Sequence, residues 1–206
     1  HAITQAGLSL TADLHKAISG TGNLAVRGTT ADAVHAYLTG RVPLASLPAP
    51  VRVPAEKVRL FVDALSDRAV AEGVVTGPMA QTFLDNRGSY LRRSYGIFLD
   101  PNYRPDPARV QAAITAVANT NQVTRAEAEG IVAGILDKNQ RAALGDYLVG
   151  RGKIAGKDVS SLIRRKDLLP EIRALLDEVV DPILAANQTI PRLARLLEHD
   201  AAQRQM

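Results

Sequence analysis

Along most of the chain, apolar residues recur every three or four positions, and short polar or glycine- and proline-rich segments interrupt this pattern. In the clearest stripe, Val58, Phe61, Val62, Leu65 and Ala69 follow one another at helical spacing. Such spacing places apolar side chains on one face of an α-helix, where they can pack against a neighbour. The same pattern predicts helices at 2–19, 31–39, 54–72, 78–84, 107–117, 125–136, 142–149, 170–180 and 183–197.

Threonines precede three of these helices and are predicted to cap them. Thr30 stands before the helix that begins at residue 31, and Thr76 stands before the helix that begins at Pro78. Thr124 and Glu127 have the spacing of a capping box, in which each side chain accepts a hydrogen bond from the other residue's backbone N–H. Caps of this kind satisfy N–H groups that the first helical turn leaves unpaired.

A proline-rich stretch separates the N-terminal helices from the rest of the chain. Its four prolines are Pro43, Pro48, Pro50 and Pro54. Because proline lacks the backbone N–H and clashes with the preceding turn, residues 41–54 are predicted to form an extended connector, with Pro54 opening the next helix. The predicted fold is therefore all-α, an orthogonal or bundle-like array of helices. It is divided into N-terminal helices and connector at 1–53 and a helical module at 54–206.

The predicted C-terminal helix has an apolar face that is expected to dock on another part of the chain or on a neighbouring subunit. That face consists of Ile183, Ile190, Leu193 and Leu197. Pro191 lies inside this helix and is expected to kink it, or to make it restart near 188–190 with Thr189 as the cap.

Composition narrows the possible classes of protein. The chain of 206 residues is 46% hydrophobic but only 4% aromatic, so small aliphatic residues supply the core. It contains no cysteine, which excludes disulfides and thiol chemistry. No apolar run approaches the roughly 20 residues that a membrane span needs. The sequence opens on His1 rather than on methionine, so the chain is expected to be either a processed product or a segment of a longer protein.

Two basic clusters are candidates for binding nucleic acid. The first lies among tyrosines in residues 87–95, and the second is a basic triplet near residue 165. Arginine binds phosphate in a bidentate way, and tyrosine stacks on bases. The candidate residues are Arg87, Arg92, Arg93, Arg164, Arg165 and Lys166. The net charge of +4 is a small excess, and it supports a polyanionic partner only weakly.

A structural interpretation of the same residues is favoured. Tyr90, Tyr95 and Phe98 would then fill the core of an aromatic-poor protein, and the arginines of the first cluster would pair with Asp85, Asp100 or a neighbouring chain. The second cluster is flanked by acids and would be a solvated face or a group of ion pairs.

No catalytic, metal or cofactor site is predicted. The four histidines have no second ligand at metal-binding spacing. Asp100, Asn102 and Asp106 have the order of a calcium loop, but the central glycine and the terminal glutamate are missing. An enzyme would need a carboxylate such as Asp85 or Asp100 to converge with Arg92 or Arg93 in a pocket.

Two segments resemble the large polyvalent proteins of phages and prophages. The first motif is residues 88–101, where a glycine, an aromatic, a basic residue, Ser94-Tyr95, Phe98 and Asp100-Pro101 follow one another. The second motif is residues 157–182, with the basic triplet, Pro170 and a closing Asp181-Pro182. The chain departs from the family's pattern at Asp177, where glycine is usual before the glutamate, and at Pro191, where the helix is normally uninterrupted.

The resemblance implies a structural function without catalytic activity. In this family the matched motifs belong to a connecting helical segment with no known catalytic role, and enzymatic units are separate. It implies a structural or assembly segment of a large virion protein, located in the capsid or tail interior. Some members are ejected into the host cell with the DNA. The implied partners are other virion chains or domains of the same large protein, with DNA as a further one.

Overall fold

The structure is a computed structural model that describes residues 2–91, 93–100, 102–137, 153–154, 157–158 and 168–203. It confirms the all-α class: the described residues form helices, together with one pair of two-residue strands. The helices are α1 (Ala2–Ser19), α2 (Leu24–Leu38), α3 (Ala49–Ala71), α4 (Gly77–Asp85), α5 (Gly96–Leu99), α6 (Pro107–Asn121), α7 (Arg125–Leu136), α8 (Pro170–Leu175) and α9 (Pro182–Gln203). A 3₁₀ turn covers Leu44–Ser46, and the antiparallel strands are β1 (Lys153–Ile154) and β2 (Lys157–Asp158).

The chain divides into two compact units, but not at the predicted place. Unit 1 contains residues 1–93 and 180–206, and unit 2 contains residues 94–179. The predicted boundary between residues 53 and 54 falls inside α3, so residues 1–53 do not form a part of their own. Leu47 and Val51 of the predicted connector are buried in the same core as Val58, which explains why no boundary occurs there.

Unit 1 is built around α1, α3 and α9, which pack on one another, with α2 and α4 against α3. Its core includes Leu14 of α1, Val62 of α3 and Leu193 of α9, each at most 1% exposed. Helices α1 and α9 approach each other closely at Gly7 of α1. A Cβ atom there would lie 2.3 Å from Cγ2 of Ile190 in α9.

Helix α9 docks on its own chain, as the apolar face predicts. Ile190, Leu193 and Leu197 are buried in the core of unit 1. The helix runs through Pro191 without a break, so the predicted restart is wrong, while the alternative of a kink stays a prediction. Thr189 does not cap a new helix, because its hydroxyl donates to the carbonyl of Ala185 one turn earlier (2.7 Å).

Two helix starts differ from the prediction. Helix α2 begins at Leu24, where the side chain of Asn23 accepts from the N–H of Val26 (3.1 Å), and Thr30 is buried inside the helix. Helix α3 begins at Ala49 and continues through Pro54, so the last part of the predicted connector is helical. A proline at the start of a helix removes only an N–H that would be unpaired anyway, which makes Pro50 compatible with the first turn.

Unit 2 contains α5 to α8 with β1 and β2. Its core is separate from that of unit 1 and includes Ile97, Ile135 and Leu175, none more than 1% exposed. Helix α6 begins at Pro107 as predicted. The capping box of Thr124 and Glu127 at the start of α7 is confirmed. The predicted helix at 142–149 lies outside the described residues.

Candidate functional site

The first motif begins in unit 1, where it is fixed to α3. The N–H of Gly88 donates to Asp63 Oδ1 (3.0 Å), and Arg87 pairs with Asp67 (2.7 Å between Nη2 and Oδ2). Arg87 was expected to pair with Asp85, Asp100 or a neighbouring chain, so its partner differs from the prediction. Asp85 instead accepts a hydrogen bond from Gln81 of its own helix (2.7 Å).

A buried arginine supports this attachment. Arg59 is 4% exposed, and its Nη2 donates to the carbonyl of Leu38 at the end of α2 (2.6 Å). Its Nη1 lies 3.6 Å from Asp63 Oδ1, so the same carboxylate faces both Arg59 and Gly88. Burial lowers the pKa of Arg59, while the charge of Asp63 acts in the opposite direction. Arg59 and Asp63 therefore attach the end of α2 and the start of the first motif to α3 through hydrogen bonds.

The aromatic residues of the first motif have different environments. Tyr90 is partly buried, with its ring centroid 4.5 Å from that of Phe83. Tyr95 is 6% exposed and belongs to the core of unit 2. Phe98 meets Tyr95 edge-on but is 43% exposed. The prediction of a buried Phe98 is therefore wrong, because the short α5 turns only Ile97 into the core.

In unit 2 the two motifs meet. We call residues 94–97 together with residues 176–179 the motif junction. Tyr95 and Glu178 face each other as an antiparallel bridge, flanked by backbone hydrogen bonds between the two segments. These bonds run from Gly96 N–H to Asp177 O (2.8 Å), from Ile97 N–H to Leu176 O (3.3 Å) and from Val179 N–H to Ser94 O (2.8 Å). Segments about 80 positions apart thus form one structure.

The end of α8 gives the motif junction its shape. Asp177 has φ 57°, in the left-handed region. Its N–H donates to the carbonyl of Ala174 (3.2 Å), and the N–H of Glu178 donates to that of Arg173 (3.0 Å). This pair of bonds is the Schellman motif, which satisfies carbonyls at a helix end and most often uses glycine at the left-handed position.

Two side chains from elsewhere in unit 2 donate hydrogen bonds to the last carbonyls of α8. Arg109 of α6 donates from Nη1 to the carbonyl of Ala174 (3.0 Å) and to Asp177 Oδ1 (3.1 Å). The hydroxyl of Tyr103 donates to the carbonyl of Leu175. The hydrogen bond to Asp177 raises the pKa of Arg109, and burial, followed by the charge of Asp177, raises the pKa of Tyr103. A cation at a helix C-terminus also interacts favourably with the helix dipole.

A glycine allows the two segments to approach. A Cβ atom on Gly96 would lie 2.6 Å from Oδ2 and 3.0 Å from Cβ of Asp177. Any larger residue at position 96 would have to displace the side chain of Asp177. The motif junction is thus a tightly fitted contact, and its described groups hold a helix end and a loop together.

The predicted nucleic-acid contacts are only partly described. Arg87 is exposed and Arg93 is partly buried, both in unit 1. The other four, Arg92, Arg164, Arg165 and Lys166, lie outside the described residues. Whether the two basic clusters share a face therefore stays a prediction.

Sequence reasoning missed Arg59, Asp63 and Arg109, and it singled out Asp177 only as a departure from the family's pattern. A signal existed for Arg59, which falls on the apolar face of α3 beside Val58 and Val62. The interactions of Arg109 and Asp177 bring together residues 68 positions apart, which no local pattern reveals.

The described residues contain no group of three or more His, Asp and Glu side chains that could hold a metal ion. No helix in the described part of the chain has the length and apolarity that a membrane crossing requires. A comparison with known proteins found no matching family model, no matching curated protein and no matching solved structure.

Proposed function

We propose that the chain is a non-catalytic structural segment of a large phage virion protein, used in assembly. It would lie in the capsid or tail interior, and in an ejected protein it would enter the host cell with the DNA. Its partners would be other virion chains or other domains of the same protein. The proposal rests on the resemblance of the two motifs to the large polyvalent proteins.

The motif junction is the observation that supports this proposal best. Residues of both motifs are hydrogen-bonded to each other in unit 2, although they are far apart in the sequence. Two segments that belong to one contact are expected to occur together in a family, because neither can form the contact alone. The usual glycine of the family's pattern also falls on Asp177, whose φ of 57° suits glycine.

Apolar surface left open for a neighbour also supports an assembly role. Leu24 is 85% exposed, Leu60 is 61% exposed, and the adjacent Phe98 and Leu99 are 43% and 59% exposed. Single exposed apolar side chains are ordinary, whereas contiguous apolar surface marks sites that meet another protein, so the neighbouring pair Phe98 and Leu99 carries this support.

Mass spectrometry of purified particles tests the proposal. Virions from the phage or lysogen whose genome encodes this chain would be separated on a density gradient into DNA-filled and empty particles. We expect peptides of this chain to sediment with the particles, at a constant ratio to the capsid protein. A chain found only in the unsedimented lysate would contradict the proposal.

One observation favours a nucleic-acid-binding module as the second candidate. Residues 138–167 contain eight basic and three acidic residues, a net charge of +5, while the whole chain has a net charge of +4. The excess positive charge is therefore confined to this stretch, which includes the basic triplet. The basic residues are Lys138, Arg141, Arg151, Lys153, Lys157, Arg164, Arg165 and Lys166.

The salt dependence of DNA binding tests this second candidate. Each phosphate contact contributes about 0.9 to the slope of log affinity against log salt. Replacing Arg164, Arg165 and Lys166 by glutamine should reduce that slope by up to about 3 if each contacts a phosphate. Arg68→Gln is the matched control, because Arg68 lies outside both basic clusters and pairs with Glu72 at the end of its own helix. An unchanged slope in the triple variant would exclude the triplet as a DNA contact.

A further inference from the structure

Unit 2 is an insertion in unit 1. The chain leaves unit 1 after Arg93, forms the 86 residues of unit 2, and returns to unit 1 at Val180. The two parts of unit 1 share one core, in which Ile190 and Leu193 of α9 are buried together with Leu14 of α1. Helices α1 and α9 also approach at Gly7 closely enough to exclude a Cβ atom.

The ends of unit 2 are neighbours in space. Its first residue, Ser94, accepts a hydrogen bond from the N–H of its last residue, Val179 (2.8 Å). Proteins tolerate inserted domains at such positions because the insertion begins and ends at nearly the same point. The described residues of the core of unit 2 all belong to unit 2, so α9 is not among the elements described in that core.

We infer that this topology shields unit 2 from tension applied at the two ends of the chain. A pulling force enters through α1 and leaves through α9, and these helices are joined by the core of unit 1. While that core is intact, the load passes directly between α1 and α9, and Ser94 and Val179 are not pulled apart. Unit 2 can lengthen only after α9 has left the core of unit 1.

After the core of unit 1 has opened, the tension acts on the two ends of unit 2. Their hydrogen bonds are arranged so that they break at low force. Pulling Ser94 away from Val179 stretches the terminal hydrogen bond along its own axis. The bond between Gly96 and Asp177 is loaded only after the first has broken. The bonds therefore break one after another, and the protection of unit 2 depends on unit 1.

Single-molecule stretching of the full chain tests this inference. Because the chain has no cysteine, one cysteine added at each end gives unique attachment points. Full extension of the 86 residues of unit 2 adds roughly 300 Å, at about 3.5 Å per residue. We expect the first gain in length to come from unit 1, with the gain of unit 2 always later. Traces in which the gain of unit 2 comes first would overturn the inference.

Matched variants show which unit unfolds in each gain in length. Leu193→Ala in the core of unit 1 should lower the force of the first event, while Leu175→Ala in the core of unit 2 should leave that force unchanged. With attachment through Ser94→Cys and Val179→Cys, only unit 2 lies between the attachment points, so its gain in length is measured alone and identifies the same gain in traces of the full chain. If Leu175→Ala lowers the force of the first event, unit 2 bears load from the start and the inference fails. Leu193→Val and Leu175→Val replace the alanine variants if either of these does not fold.

Discussion

At the scale of single residues, the motif junction depends on backbone conformation and close contact. Asp177 holds a left-handed conformation, and Gly96 leaves room for its side chain. The left-handed region costs an ordinary L-residue roughly 1–2 kcal/mol, and glycine adopts it without this cost. The ion pair of Asp177 with Arg109 is exposed on both sides and contributes little to stability.

Substitutions at Asp177 separate the cost of its left-handed backbone from the contribution of its ion pair with Arg109. Asp177→Gly should be at least as stable as the natural chain, and Asp177→Ala should be roughly 1–2 kcal/mol less stable than the glycine variant. Chemical denaturation followed by circular dichroism measures both. Asp177→Asn keeps a side chain that tolerates the left-handed region and removes the charge, so it should behave like the natural chain. Equal stability of the alanine and glycine variants would show that the conformation carries no cost.

Tyr95 and Phe98 form a matched pair of aromatic residues. Tyr95 is 6% exposed, so Tyr95→Ala should cost about 3–5 kcal/mol of unfolding free energy, as large aromatic truncations in cores do. Phe98→Ala should cost less than about 1 kcal/mol, because a side chain that is 43% exposed loses less contact when truncated. Denaturant titration of the two variants side by side measures the difference. A loss below about 1 kcal/mol for Tyr95→Ala would mean that its ring is not a core element.

At the scale of the helices, the contact between α1 and α9 has no room for an added methyl group at Gly7. Both helices pack over α3, and the approach at Gly7 brings the backbone of α1 against Ile190. Cores that are already filled respond to an added methyl group by shifting side chains or backbone.

Two glycine-to-alanine substitutions test this contact. Gly7→Ala should destabilise the protein by about 1–3 kcal/mol through overpacking. Gly28 lies in α2, where an added methyl group would meet nothing within 4 Å, so Gly28→Ala should stabilise the helix by roughly 0.5–1 kcal/mol. Thermal unfolding shows whether each substitution raises or lowers the stability of the protein. If Gly7→Ala also stabilises, α9 does not press against α1 at this point.

How well each element could be predicted depends on how local its determinants are. The capping box at Thr124 and the start of α6 at Pro107 were predictable, because residues a few positions apart decide them. The start of α2 was not, since residues 24–29 are all exposed and have no apolar periodicity. The start of α3 was missed because Val51 is buried by tertiary packing, which outweighs the poor helix propensity of the prolines.

The candidate site was less predictable than the fold. Tyr95 and the second motif were identified from the sequence, but their contact was not. The hydrogen bonds between them join residues about 80 positions apart, and they depend on how α8 ends. Arg59 and Asp63 were missed because an apolar stripe suggests a core without indicating which polar residues it encloses.

At the scale of the whole molecule, the two cores are made of different residues. The described core residues of unit 1 lie between Leu14 and Leu91 and between Ala185 and Leu197. Those of unit 2 lie between Tyr95 and Ile135 and between Leu168 and Leu176. Separate cores permit separate opening, so one unfolding free energy need not describe the chain.

Native-state hydrogen exchange tests this separation. Leu175→Ala should speed exchange in α6, α7 and α8, with α1, α3 and α9 unchanged, because Leu175 is buried only in the core of unit 2. The loss of protection should correspond to about 2–5 kcal/mol, as expected for a buried leucine. Ile190→Ala is the reciprocal variant in unit 1. Equal acceleration in both sets of helices would mean that the cores open together.

The left-handed backbone at Asp177 has a consequence for how the sequence diverges. Glycine, asparagine and aspartate are nearly interchangeable at such a position, although they differ in charge and size. Substitution matrices score the exchange of glycine for aspartate as unfavourable. Evolutionary distance is therefore overstated at residue 177, where the backbone accepts an exchange that an alignment counts as a mismatch.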